Sequence, residues 1–304
     1  MKPREAQLSK LVDMQNPQKV LDEVKIIVFM VFNRFDFEPV NRLFKDLIKL
    51  FQGEYPGYRA CSTLYHDLKH TTDAMLAATR LIHGVILHGE KISQKGAALG
   101  IISSMLHDTG YIQKRGDNIG TGGKYTLVHI ERSIEFMDKY FRENNFSEDD
   151  VGSCRDILHC TGFKTKINEI QFKSKETEIL GKILGTADLI GQLADRTYLE
   201  KLPFLYHEFK EANVKMYASE LDLFEKTLAF YDFSQQRLAT ELGGINRFNI
   251  HHFKKRWQID KDLYADAIEK NMRYLRYILK NRHKGLRSFL RREHYPQLLE
   301  EKGL

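Results

Sequence analysis

Apolar residues recur at three- and four-residue intervals along nearly the whole chain, and strict apolar–polar alternation is almost absent. A chain patterned in this way can hide its apolar stripes only by packing helix against helix. Val20, Val24, Ile27, Val28 and Val31 make one such stripe, and Val40, Leu43, Leu47 and Leu50 a second. Further stripes run from Leu64 to Leu87, from Ala97 to Leu106, through Ile130, Ile134, Met137 and Phe141, and through Ile179, Ile183, Ala187 and Ile190. Helical patterns continue past Pro203 (Leu221, Phe224, Leu228; Leu275, Ile278, Leu279). The spacing predicts an all-α chain without a fixed repeat. Gly110 is placed to cap the Ala97–Leu106 helix, and Ser147, followed by three acids, to open the next but one.

Composition narrows the class. The 304 residues are 42% hydrophobic and 29% charged, with only six Pro, which suits one or two globular domains rather than a disordered or fibrous chain. Three scattered cysteines (Cys61, Cys154, Cys160) fit neither a disulfide framework nor a zinc knuckle, and point to a reducing, cytoplasmic setting. No apolar signal core follows Met1-Lys-Pro-Arg-Glu-Ala. The run Ile26–Phe32 is far below the roughly 20 residues that span a bilayer. The net charge of +6 gathers partly in the C-terminal region, where nine Lys and Arg lie between Glu269 and His294. A solvated helix face explains them, so neither nucleic acid nor membrane is expected as a partner. The glycine-rich stretch Gly110–Lys124 fails the phosphate-loop pattern, because Asn118 and Tyr125 stand where a glycine and a hydroxyl are required.

Polar residues interrupt the apolar pattern at three places. Tyr65-His66-Asp67-Leu68-Lys69-His70 sets two imidazoles four residues apart, one helical turn, on what reads as the start of a helix. His107-Asp108 closes an apolar helix. Asp188 sits in Ile183-Leu-Gly-Thr-Ala-Asp-Leu-Ile190, where a carboxylate needs a cation or donors. Each has an ordinary explanation alone: a surface His pair, a helix cap, or an ion pair with an arginine such as Arg196. His129, at the start of a helical pattern, and His159, at the end of one, equally suit satisfied core positions. Together, imidazoles and carboxylates make a donor set for Mn, Fe, Zn or Co.

The order His70 … His107-Asp108 … His129 … His159 … Asp188 resembles the HD-domain metal-dependent phosphohydrolase superfamily. Tyr65–Asp73 is also similar to the Tyr-His-Asn-x-x-His signature of class I cyclic-nucleotide phosphodiesterases. The resemblance spans about Leu64 to Asp195. It implies an HD-type domain over residues 1–200, with a C-terminal helical region over 201–304 packing on it. It further implies that His70, His107, Asp108 and Asp188 hold a first metal, that Asp108 bridges to a second, and that His129 and His159 ligate the second. One or two divalent ions (Mn, Fe, Mg, Zn or Co) would activate water for attack on phosphorus. His66 matches the position of a general acid, with Asp67 or another carboxylate to orient it. Lys69 and Lys124, with Arg115, are candidates for touching substrate phosphate. The expected partner is a small phosphoester, a nucleotide or cyclic nucleotide, and a homo-oligomer stays open. The sequence departs from the phosphodiesterase pattern at Asp67, in place of Asn, and at Thr109-Gly110-Tyr111 after the His-Asp pair. These departures bear on the substrate. Two rivals share the ligand set, a di-iron oxygenase and a non-catalytic nucleotide sensor. His83, His88, His207, His283 and His294 are expected on the surface, and His251-His252 in an exposed turn.

Overall fold

The structure, a computed structural model, describes residues 6–163, 165–293 and 295–302. The first five residues and His294 lie outside that range. Among the described residues all regular structure is helical, as the spacing predicted, with one isolated antiparallel bridge between Tyr58 and Lys114. No described helix is long and apolar enough to cross a membrane. The twelve α-helices are α1 (Pro17–Phe29), α2 (Glu38–Gln52), α3 (Leu68–Leu87), α4 (Gln94–Leu106), α5 (His129–Glu143), α6 (Glu148–His159), α7 (Lys175–Ala194), α8 (Tyr198–Glu211), α9 (Glu220–Ala239), α10 (Asn249–Trp257), α11 (Leu263–Lys280) and α12 (Tyr295–Glu301).

Local chemistry starts most of them. Asn16 accepts from the N–H groups of Gln18 and Lys19 with Pro17 in the first turn, and Ser93, Ser174 and Ser219 cap α4, α7 and α9. Ser147 and Asp150 form a reciprocal capping box at α6, the start expected from the sequence. α3 and α4 are buried on nearly every side, so they form the inner layer. α7, α4, α1 and α10 pack around α3, and α11 packs against α7. Carbons from α1 through α12 join one continuous apolar core. The boundary drawn at residue 200 therefore falls inside α8, whose residues face the site described below.

Gly110 differs from its expected role. His107 caps α4, and Gly110 sits in a short 3-10 turn, Thr109–Tyr111. A Cβ there would lie 1.9 Å from the His129 carbonyl oxygen, so glycine is needed for close approach of the turn to α5. The following stretch is stitched down rather than open. The Gln113 carbonyl accepts the Arg59 N–H at 2.9 Å, the Gly57 carbonyl accepts the Arg115 N–H at 2.8 Å, and the Gln113 amide donates to the carbonyls of Asp117, Ile119 and Gly120.

Two histidines expected on the surface are buried. His83 on α3 and His252 on α10 bring their Nδ1 atoms to 3.1 Å in the seam between these helices, and α10 itself replaces the expected turn around His251-His252. The apolar positions around them carry α10 onto α3, and the imidazoles go with it. His88, His207 and His283 remain exposed or half-buried. Burial, with Lys255 nearby, lowers the His83 pKa from 6.5 to about 4, and burial next to Arg80 and His83 holds His252 well below its ordinary value. A folded-state pKa below the unfolded one means that stability is full above about pH 6.5 and drains as pH falls toward 4. For His83 the loss is on the order of 3 kcal/mol, at 1.36 kcal/mol per unit. Urea unfolding at successive pH values is expected to show this decline, and His83→Gln to flatten it. An unchanged pH slope in the variant would refute the assignment.

Of the nine basic residues between Glu269 and His294, five make ion pairs among the described residues: Lys270 with Asp266, Arg273 with Glu269, Arg282 with Glu225, Arg287 with Glu220 and Arg292 with Glu200.

Candidate metal centre

Two helix ends and the interior of a third helix deliver the donors. The Asp67 side chain caps α3 by accepting the His70 N–H at 2.8 Å, which fixes His70 in the first turn. His107 and Asp108 follow α4 where it ends, and Asp188 comes from the third quarter of α7. His70 Nε2 lies 3.1 Å from Asp108 Oδ2, 3.2 Å from Asp188 Oδ1 and 3.4 Å from His107 Nε2. His107 Nε2 lies 3.2 Å from Asp108 Oδ2 and 3.7 Å from Asp188 Oδ1. Donor atoms at about 2.0–2.2 Å from one ion would stand about 3.0–3.5 Å apart, so the spacings among His70, His107 and Asp108 are compatible with one shared ion.

Two further observations fit a metal. Asp108 Oδ2 is buried and makes no hydrogen bond, although both imidazole nitrogens stand within 3.2 Å. An orphaned carboxylate oxygen is costly unless a cation meets it. The tautomers also agree. His107 Nδ1–H donates to the Ser104 carbonyl at 2.8 Å and His129 Nδ1–H to the Thr126 carbonyl at 2.7 Å. With Nδ1–H held in this way, each ring points its Nε2 toward Asp108, where that nitrogen could serve an ion once deprotonated, as in the usual outer-shell arrangement of a metal-ligating histidine. Asp188 is steadied by the Gln192 amide at 3.4 Å, and the Tyr65 hydroxyl in turn donates to Gln192 at 2.8 Å. Among the described residues, His70, His107 and Asp108 form a buried group able to hold an ion.

Electrostatics follow from this convergence. Burial alone would lower the His70 pKa, but Asp108 and Asp188 push it up to about 10. Burial alone would raise the Asp108 carboxyl, and His107 and His70 instead hold it well below the usual range. Asp188 is lowered in the same way, against its burial, by His70 and His107.

The remaining predicted residues divide. His129 opens α5 and places Nε2 3.8 Å from Asp108 Oδ1, the oxygen on the other side of that carboxylate from His70. Burial lowers its pKa and favours the neutral form. His159, at the end of α6, faces Glu131 at 3.7 Å, and among the described residues no hydrogen bond or ion pair joins it to the other donors.

His66 is not on the helix. α3 begins two residues later, because Asp67 serves as its cap, so His66 and His70 are not stacked on one helical face. Asp67 does not orient His66 either. It pairs with Lys201 at 3.1 Å, while His66 Nδ1 is bound by Glu208 at 2.6 Å. The other Glu208 oxygen accepts the backbone N–H groups of Leu64 and Tyr65 at 3.0 and 2.8 Å. His66 Nε2 stands 3.4 Å from the Tyr111 hydroxyl, and Tyr111 stacks between His66 and His129 at ring separations of 4.1 and 4.6 Å.

Both substrate-contact lysines are engaged elsewhere. Lys69 is held between Asp73 at 2.7 Å and Asp195 at 3.0 Å, and Lys124 binds Asp117 at 2.5 Å and the Ile119 carbonyl at 2.6 Å. A lysine that can reach two carboxylates in a partly dry wall is drawn to them rather than left free. Glu208 and Lys201 had no local motif to reveal them. A signal exists in retrospect: Lys201, Glu208 and Glu211 lie seven and ten residues apart, one face of α8, and that face meets Asp67, His66 and Thr121.

Comparison with known proteins adds one likeness. A family model described as Npun_R2479-like matches residues 117–241, from the loop before α5 to the end of α9. That stretch contains His129, His159, Asp188, Lys201 and Glu208, and excludes His66, His70, His107 and Asp108. No curated protein and no solved structure matches the chain.

Proposed function

We propose that the protein is a metal-dependent phosphohydrolase of the HD-domain type, which cleaves a phosphoester with a nucleotide or cyclic nucleotide as the favoured substrate. The observation that carries the reading is the convergence of His70, His107, Asp108 and Asp188 beside an imidazole, His66, that is bound by its own carboxylate and belongs to no ligand group. A divalent ion held there supplies polarisation of the phosphoryl group and an activated water. Mn, Fe, Zn and Co suit the mixed imidazole–carboxylate donors, and Mg, which prefers all-oxygen shells, suits them least.

The chain's own groups divide the remaining work. Asp108 offers one oxygen to the His70–His107 side and the other to the His129 side, so it is the group able to join two ion positions. The Glu208 carboxylate accepts a hydrogen bond from His66 Nδ1–H at 2.6 Å and fixes the orientation of the ring. That leaves Nε2 to hold a proton beside the site and give it to a departing ester oxygen. The Tyr111 ring, stacked on His66, limits rotation of that imidazole. The His66–Glu208 pair favours hydrolysis over the di-iron oxygenase alternative, in which no alkoxide leaves. The intact donor set weighs against a purely non-catalytic sensor.

Metal analysis of the purified protein, followed by a screen of phosphoester substrates with and without chelator, tests the reading. Bound transition metal and chelator-sensitive hydrolysis are expected. Because the proton on His70 competes with the ion, metal affinity is expected to rise with pH through the neutral range, about tenfold per unit for each proton released. Absence of both metal and hydrolysis refutes the proposal, and oxygen-dependent turnover with bound iron would transfer it to the oxygenase class.

A further inference from the structure

The turn that carries His107 and Asp108 is held from outside by α5. α4 ends at Leu106, and the carbonyls at a helix end need donors from elsewhere. Two of them are met by neighbours in the chain: the Ser104 carbonyl accepts from His107 Nδ1–H, and the Leu106 carbonyl accepts from the Thr109 hydroxyl at 2.8 Å. The carbonyl of the peptide that joins His107 to Asp108 accepts instead from the Ser133 hydroxyl of α5, at 2.7 Å. The same hydroxyl oxygen accepts the Gly110 N–H at 2.9 Å. One fully buried side chain therefore spans Asp108, from the peptide before it to the amide two residues after it. Arg132 extends the grip. Its Nε donates to the Gly110 carbonyl at 2.7 Å and its Nη2 to the Ile112 carbonyl at 3.0 Å, while its guanidinium lies 3.5 Å from the centre of the Tyr125 ring.

The grip also bears on His129. His129 and Ser133 are four residues apart, neighbours on one face of α5. No side chain caps the start of α5 at Val128, so the first turn of this helix is not anchored by a local cap. It is tied at His129 Nδ1 to the Thr126 carbonyl, and one turn later through Ser133 and Arg132 to the Asp108 turn. Asp108 Oδ1 and His129 Nε2 thus face each other at 3.8 Å across two elements joined by these bonds. Because His159 turns to Glu131, the hold on an ion at that side of Asp108 falls to His129.

We propose that Ser133 and Arg132 are positioning residues of the metal centre. They set His129 against the outer oxygen of Asp108 and so determine how firmly an ion is held on that side. The inference rests on the reading of this centre as a metal site.

Titration of the chelator-stripped, full-length protein with manganese(II) and with zinc(II), followed by calorimetry, tests it in a double-variant cycle. His129→Ala marks the binding that depends on that imidazole. Ser133→Ala and Arg132→Met are each expected to weaken the same binding by about 10- to 100-fold, the usual cost of losing an outer partner of a metal ligand. Neither is expected to weaken it further in the His129→Ala background, because both act through His129. A role in packing alone would lower the thermal unfolding midpoint with affinity unchanged, or lower affinity equally with and without His129. Either result overturns the inference, as does binding that His129→Ala leaves untouched. A wild-type protein that takes up neither ion overturns the metal reading itself, and this inference with it. If Ser133→Ala does not fold, Arg132→Met decides.

Discussion

Asp108→Ala is expected to lose bound metal and phosphoester turnover together, with activity falling by at least about three orders of magnitude. The estimate takes the several kcal/mol that a bound ion supplies to the transition state, at 1.36 kcal/mol per factor of ten. The reason is positional. Asp108 has His70 and His107 at one oxygen and His129 at the other, so its removal takes a donor from every ion position the site could hold. Metal content measured beside turnover, with circular dichroism to verify folding, checks the result. His70→Ala should behave alike. Asp117→Asn, which weakens the hold on Lys124 and Tyr125 and touches none of the converging donors, should leave metal content unchanged. Full metal retention in Asp108→Ala would remove the carboxylate from the ligand set.

His66→Ala is expected to keep its metal and lose about two to four orders of magnitude in turnover, the usual range for a general acid. The loss should shrink for a nitrophenyl ester, whose leaving group departs without a proton. Glu208→Gln is expected to follow the same pattern more weakly, because an amide holds the His66 Nδ1–H less firmly than a carboxylate does. Glu208→Ala should also loosen the segment before α3, since the carboxylate accepts the N–H groups of Leu64 and Tyr65. Equal losses for good and poor leaving groups would refute proton donation by His66.

The two kinds of residue in these predictions differ in how they could be found. His70, His107, Asp108 and Asp188 stand out in the sequence because each breaks an apolar helical stripe, and a polar group in such a stripe needs a partner. The all-α class was legible for the same reason, since three- and four-residue spacing is a local property of the chain. The Ser147 cap was readable because its partner, Asp150, is three residues away.

Misreadings arose where partners are distant in sequence. Lys69 looks like a free cation in the motif, but Asp195, which helps hold it, is 126 positions later. His83 and His252 look like surface residues because the 169 positions between them hide a contact of 3.1 Å. α3 starts at Leu68 and not at His66, because the residue types in Tyr65-His66-Asp67-Leu68 do not say which of them leaves the helix. The Asp67 cap decides that.

The sequence by itself determined the helical class and marked His66, His70, His107, Asp108 and Asp188 as polar groups in apolar surroundings, because these depend on residue type and on spacing within a turn or two; that His70, His107, Asp108 and Asp188 belong together was what the family resemblance implied. The tertiary structure alone decided that α8 closes the site with Glu208 and Lys201, and that His129 stands beside Asp108 while His159 turns to Glu131. Those outcomes depend on which helices meet and at what distance. That is set by the summed packing of an apolar core running from α1 to α12, and not by any single stretch of the chain.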